Sequence, residues 1–128
     1  MKIDDIIVLI VDDDPWMVKV LHKIIKSFGI DNVFGAHNGY DAVATAIKEN
    51  VNLIFLDIMM PEIDGFQTLA MLKTIHLTMD ANIVMVTGNT DIHNFGKAVK
   101  LGAIDYIAKP FTPEIIQKKI LELFPGAL

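Results

Sequence analysis

Five side chains of three chemical kinds each stand just beyond a short apolar run. They are the carboxylates of Asp12, Asp13 and Asp57, the hydroxyl of Thr87 and the ammonium of Lys109. Carboxylates brought together repel one another, so such a group requires a cation. Oxygen-only ligands favour a hard ion, and Mg²⁺ typically takes one or two carboxylates while keeping several waters. Asp57 and Asp13 are the natural direct ligands, and a backbone carbonyl just after Asp57 could add a third. A phosphoryl group brought to Asp57 would have its oxygens near the metal, the Thr87 hydroxyl and Lys109. That is the electrostatic clamp phosphoryl transfer needs, with little covalent work left for the protein. A carboxylate is also a competent nucleophile for aspartyl-phosphate chemistry.

These residues act together only if the chain brings their runs to one edge. Ile6–Val11 is apolar throughout and β-branched, as in a strand buried on both faces of a parallel sheet. Asp14 and Pro15 suit the cap and first residue of a helix. That helix carries Val18, Leu21, Ile24, Ile25 and Phe28 at helical spacing, and Gly29 stops it. Asn32–Ala36 is a weaker second strand, and Gly39 with Tyr40–Lys48 a second helix. Asn52–Leu56 reads as a buried strand ending at Asp57. Pro61 and Gly65 punctuate the following loop. Phe66–His76 is a helix, Ile83–Val86 a strand, Asp91–Leu101 a helix closed by Gly102, and Ile104–Ala108 a short strand. Thr112 and Pro113 cap and start a last helix that runs to about Phe124. Strand and helix alternate throughout, which predicts a doubly wound α/β fold. Five parallel strands form its sheet, and five helices cover both faces in three layers. In such a sheet the carboxyl ends of all strands share one edge, and ligands bind there at the topological switch point. The whole chain, 1–128, reads as one domain.

Bulk composition narrows the field. Hydrophobic residues make up 52% of the 128 residues and charged residues 21%, enough for a packed core and too apolar for a disordered tail. A formal net charge of −5 with scattered basic residues argues against a nucleic-acid surface. The absence of Cys excludes disulfides, thiolate metal sites and a thiol nucleophile. Two acids interrupt the opening Met1–Asp5, unlike a signal peptide, and Ile6–Val11 is far short of a membrane span. The expectation is a cytoplasmic protein that does not engage membranes.

The runs Val8–Pro15, Asp57–Gly65, Val86-Thr87-Gly88 and Gly102–Phe111, in this order and spacing, resemble the receiver domain of two-component response regulators, a flavodoxin-like fold. The resemblance spans essentially the whole chain. It implies that Asp57 accepts a phosphoryl group from a histidine kinase or phosphotransfer protein in a Mg²⁺-dependent reaction. It further implies that Asp12 and Asp13 hold the metal, Asp12 through water, with the Met59 backbone carbonyl completing the protein ligands. Thr87 and Lys109 would meet the phosphoryl oxygens, and Tyr106 would be the switch aromatic that follows Thr87. Lys109-Pro110 would be cis. Gly88, where the family often has Ala or Ser, keeps the approach open, and its N–H can still donate. Met59 and Asn89 match positions that modulate phosphoryl lifetime; the Met59 side chain is apolar and cannot position a water. The output surface would be the face of the fourth helix, fifth strand and last helix, where Phe95 sits. A downstream protein would dock there, on a monomer or a phosphorylation-dependent dimer.

Competing readings remain at this level. Asp12–Asp14 could be a solvated cap cluster, and Tyr106 or Phe95 plain packing residues. The four histidines show no metal spacing and read as surface or helix-face residues. The same sequence would describe a receiver excised from a larger regulator with a DNA-binding or enzymatic output domain. A phosphatase with an Asp nucleophile needs a second Asp two residues on, where this chain has Met59. A flavodoxin-like electron carrier needs a Ser/Thr/Gly-rich phosphate loop after the first strand, where this chain has three acids. The resemblance therefore implies a phosphoacceptor that assists its own phosphorylation and dephosphorylation, and not an enzyme acting on outside substrates.

Overall fold

A computed structural model describes residues 2–88 and 92–128, with the backbone alone for Ile92. A short 3₁₀ turn, Ile3–Asp5, leads into β1 (Ile7–Val11), α1 (Pro15–Ser27), β2 (Asn32–Ala36), α2 (Gly39–Glu49) and β3 (Leu53–Leu56). Then come α3 (Gly65–Thr74), β4 (Asn82–Thr87), α4 (Ile92–Lys100), β5 (Asp105–Ala108) and α5 (Pro113–Leu123). The five strands form one sheet in the order β2-β1-β3-β4-β5. Every pair is parallel, with Leu9 opposite both Phe34 and Ile54, and Val86 opposite Ile107. The expected doubly wound α/β architecture is therefore present.

Strand residues feed two cores alternately, as the pleat requires. Val8, Ile10, Phe55, Val84 and Ile107 face α1 and α5, where Leu21, Ile25, Ile116 and Ile120 meet them. Leu9, Val11, Ile54, Leu56 and Met85 face the other way, onto Ala42, Ala46, Leu69 and Leu72 of α2 and α3. The uninterrupted apolar strands of the sequence thus belong to a sheet covered on both sides. Among the described residues no helix is long and apolar enough to cross a membrane.

Several boundaries differ from the sequence reading, for local reasons. Asn52 lies before β3 because its side chain is committed elsewhere. Its Oδ1 accepts from the Ile7 N–H at 2.9 Å and its Nδ2 donates to the Asp5 carbonyl at 2.7 Å. Helix α3 begins at Gly65, under a reciprocal capping box between Asp64 and Gln67. It stops at Thr74 and not His76. The buried Thr78 hydroxyl donates to the Leu72 carbonyl at 2.6 Å, and Lys73 Nζ donates to the Met79 and Ala81 carbonyls, which holds residues 75–81 in a turn. Ile104 precedes β5 and is exposed, although its N–H donates to the Ile83 carbonyl. Asp91, expected to open the fourth helix, lies outside the described residues.

Helix α4 is thinly attached. Of its described side chains only Ala98 is fully buried, and a Cβ on Gly96 would meet nothing within 4 Å. Two ring contacts supplement that anchor. Phe95 lies 5.7 Å from Tyr106 between centroids, and Lys97 Nζ sits 4.5 Å over the Phe66 ring.

Candidate functional site

The carboxyl ends of β1, β3, β4 and β5 do converge. Asp12 and Asp13 follow β1, and Asp57 follows β3. Parallel pairing sets their heights: the Asp57 N–H donates to the Val11 carbonyl at 3.0 Å, and the Asp12 N–H to Ala36 at 3.1 Å. Thr87 ends β4 and is buried, and its carbonyl accepts from the Lys109 N–H at 2.9 Å. The Lys109-Pro110 peptide is cis, as expected. Asp12 and Asp57 are also buried, with relative exposures of 4% and 6%. Asp13 is exposed.

Lys109 reaches back over the sheet edge to the acids. Its Nζ lies 2.7 Å from Asp12 Oδ2 and 3.6 Å from Asp57 Oδ2. The other Asp12 oxygen accepts from the Asp14 N–H at 3.0 Å, so both are engaged. Asp14 itself caps α1, accepting from the Trp16 N–H at 2.9 Å. Asp12, Asp13 and Asp57 each offer one oxygen within 4.8 Å of the others. Burial pushes the Asp57 carboxyl up to about 6, and the Asp12 charge pushes the same way. Lys109 and the Ile58 and Met59 N–H groups, which donate to the carboxylate, pull it down without winning.

These residues fit a divalent cation. Three carboxylates against one ammonium leave a net charge of −2, and the three groups point oxygens at one place. A buried carboxylate whose ionisation is opposed by its neighbour is what a bound hard ion relieves. Because Lys109 and Asp14 occupy both Asp12 oxygens, Asp12 is the member least free to bind a metal directly.

Gly65 positions this pocket from below. A Cβ there would fall 2.2 Å from the Asp57 carbonyl oxygen and 2.6 Å from the Ile58 Cα. Its own N–H donates to the Ile58 carbonyl at 2.8 Å. Only glycine lets the first turn of α3 press onto the acceptor backbone. Gly88 faces open space, and the Met59 side chain is 66% exposed at the mouth. Tyr106 is half-buried against Phe95. Asn89 lies outside the described residues.

Two neighbours escaped the sequence reading. His37, read as a surface residue, is exposed, but its Nδ1 lies 3.3 Å from the Asp12 carbonyl. It directly follows β2, so the strand-end rule applied to the weaker strand would have found it. Phe66, under Lys97, carries no such signal.

Fold and site together define a doubly wound α/β protein with an acidic, cation-ready pocket at its switch point. Residues 8–121 match the response regulator receiver domain. The chain belongs to that family. It is 32% identical over 111 residues to Protein PilG of Pseudomonas aeruginosa, covering 87% of this chain and 82% of PilG. It is 32% identical over 113 residues to the probable transcriptional regulator ycf27 of Porphyridium aerugineum, covering 88% of this chain but only 45% of that protein. The chain thus spans less than half of the ycf27 relative. Among solved structures, Vibrio cholerae CheY4 superposes with a TM-score of 0.87 at 26% identity, covering 93% of this chain and 98% of its own. The CheY chain of the Borrelia burgdorferi CheX-CheY-BeF3-Mg complex gives a TM-score of 0.87 at 27% identity, covering 94% and 90%.

Proposed function

We propose that Asp57 is the phosphoacceptor of a signalling switch, loaded by a phosphohistidine of a kinase or phosphotransfer protein. The observation that carries this reading is the placement of Asp57. It is a buried carboxylate with two acids on one side and the Lys109 ammonium 3.6 Å away. Asp13, Asp57 and the Met59 carbonyl would hold Mg²⁺, with Asp12 acting through water. When bound, Mg²⁺ supplies charge neutralisation for the acids and the incoming phosphoryl group. The Borrelia CheY relative is described with both BeF3 and Mg, which agrees with this reading.

The chain's own residues do the rest. The Ile58 and Met59 N–H groups orient the Asp57 carboxylate. One of its oxygens bonds to phosphorus while the donor P–N bond breaks and the donor imidazole leaves. Lys109, the Thr87 hydroxyl and the Gly88 N–H receive the phosphoryl oxygens. Thr87 moving inward lets Tyr106 follow and reshapes the α4-β5-α5 face. There Phe95, Val99, Ile104 and Ile115 are exposed. A downstream protein binds one state of this face better and shifts the population toward it. Hydrolysis of the aspartyl phosphate resets the switch. The setting of this reading is cytoplasmic, as a monomer or a phosphorylation-dependent dimer.

The test is labelling by acetyl phosphate in Mg²⁺. Wild type takes one phosphoryl group and Asp57→Asn takes none; labelling of Asp57→Asn at the wild-type level sinks the assignment. A second reading, a receiver working as one part of a longer regulator, is favoured by the 45% coverage of the ycf27 relative. The length of the native reading frame decides it.

A further inference from the structure

The mouth of the Asp57 pocket carries a sulfur atom that the phosphoacceptor reading leaves idle. Met59 is 66% exposed, more than any other described methionine: Met79 is 43% exposed, Met85 is sealed in the core, and Met17, Met60 and Met71 are half-buried. The chain has no cysteine, so every sulfur an oxidant can meet is a thioether. Met59 is also tied to the acceptor. Its N–H donates to the Asp57 carboxylate. The backbone beneath is pinned, because the Gly65 N–H donates to the Ile58 carbonyl and a Cβ on Gly65 would already collide with Asp57. Whatever happens to the Met59 sulfur therefore happens beside Asp57, and the backbone cannot withdraw it.

From this geometry we infer that Met59 is an oxidation site for peroxides, and that its sulfoxide shortens the life of the aspartyl phosphate. The inference rests on Asp57 being the phosphoacceptor. In the first step the thioether sulfur attacks a peroxide oxygen. The O–O bond breaks, an S–O bond forms and water leaves; sulfur loses two electrons and peroxide gains them. A thioether is a poor acceptor, whereas a sulfoxide oxygen is a strong one. Near it, Asp12 has both oxygens engaged and Lys109 can only donate. The sulfoxide thus adds the acceptor that can hold a water against the phosphoryl group. Hydrolysis then follows: the water oxygen bonds to phosphorus, the bond to Asp57 breaks, the carboxylate returns, and inorganic phosphate and a proton leave. One added hydrogen bond to that water corresponds to a rate gain of about fivefold.

The experiment measures aspartyl-phosphate decay in full-length wild type, Met59→Leu and Met79→Leu, each before and after hydrogen peroxide. Mass spectrometry reports the extent of sulfoxide at Met59. The inference expects decay about fivefold faster in oxidised wild type and Met79→Leu. It expects a treated-to-untreated ratio near one in Met59→Leu, and restoration of the wild-type rate by methionine sulfoxide reductases. Unchanged decay in wild type with Met59 fully oxidised overturns it, as does equal acceleration in Met59→Leu. Failure of untreated wild type to take any label at Asp57 overturns the phosphoacceptor reading itself, a result distinct from both.

Discussion

Replacing Asp57 by Asn should make the metal-free protein more stable, although it removes the central residue of the site. Folding takes the Asp57 carboxyl out of water and sets it beside Asp12, which raises it from 3.8 to about 6. A group whose folded value lies above its unfolded value keeps its proton longer in the folded state. Its contribution is therefore fully present below about pH 4 and is lost as pH rises through about 6. At pH 7.5 the ionised carboxylate costs about 3 kcal/mol, from about two pKa units at about 1.4 kcal/mol each. Asn has nearly the same shape, keeps an oxygen for the Ile58 and Met59 N–H groups and carries no charge. Lys109 retains its 2.7 Å bond to Asp12. For a chain of this length, about 3 kcal/mol corresponds to a melting shift of about 10 °C. The assay is calorimetry or urea unfolding of both proteins in EDTA, from pH 4 to 7.5. Asp57→Asn should melt higher at pH 7.5, and the two curves should converge near pH 4. Equal or lower stability of the variant at pH 7.5, or a gap that does not close on acidification, refutes the charge argument.

Three further outcomes follow from the same geometry. Adding Mg²⁺ should raise the wild-type melting temperature and change Trp16 fluorescence, since Trp16 is 70% exposed and begins α1 two residues after the cap Asp14; Asp13→Ala should require far more Mg²⁺ for either response. Gly65→Ala forces a Cβ onto the Asp57 carbonyl, so it should cost about 1–3 kcal/mol in urea unfolding and slow acetyl-phosphate labelling together. Gly96→Ala places its Cβ in open space inside α4, so it should stabilise the protein by up to about 1 kcal/mol, readable as slower amide exchange within that helix.

The legible part of this molecule was whatever depends on spacing along the chain. Apolar runs without alternation gave strands buried on both faces, and the acids and Lys109 just beyond them fell on one edge because parallel strands share direction. Asp14, Asp64 and Thr112 were readable as caps or loop ends, since their chemistry is local. What stayed hidden was set by contacts between distant segments. Sequence paired Lys109 with a future phosphoryl group, whereas it is held closest to Asp12, 97 positions away. The early end of α3 depends on the Thr78 hydroxyl and the Lys73 ammonium capping carbonyls across a turn. The need for glycine at position 65 looks like ordinary loop punctuation until the Asp57 backbone is seen against it.

The thin attachment of α4 bears on which part of the molecule yields first. Strands β1 and β3 are sealed on both faces, and their amides open only with global unfolding. Helix α4 holds the body through Ala98 and two ring contacts, with a glycine in its middle. It is the segment whose local melting exposes the least apolar surface. In hydrogen exchange α4 should form a separate, low-energy unit whose opening leaves both cores intact. The proposed output helix could then reorder on a partner while the acceptor pocket stays folded beneath it.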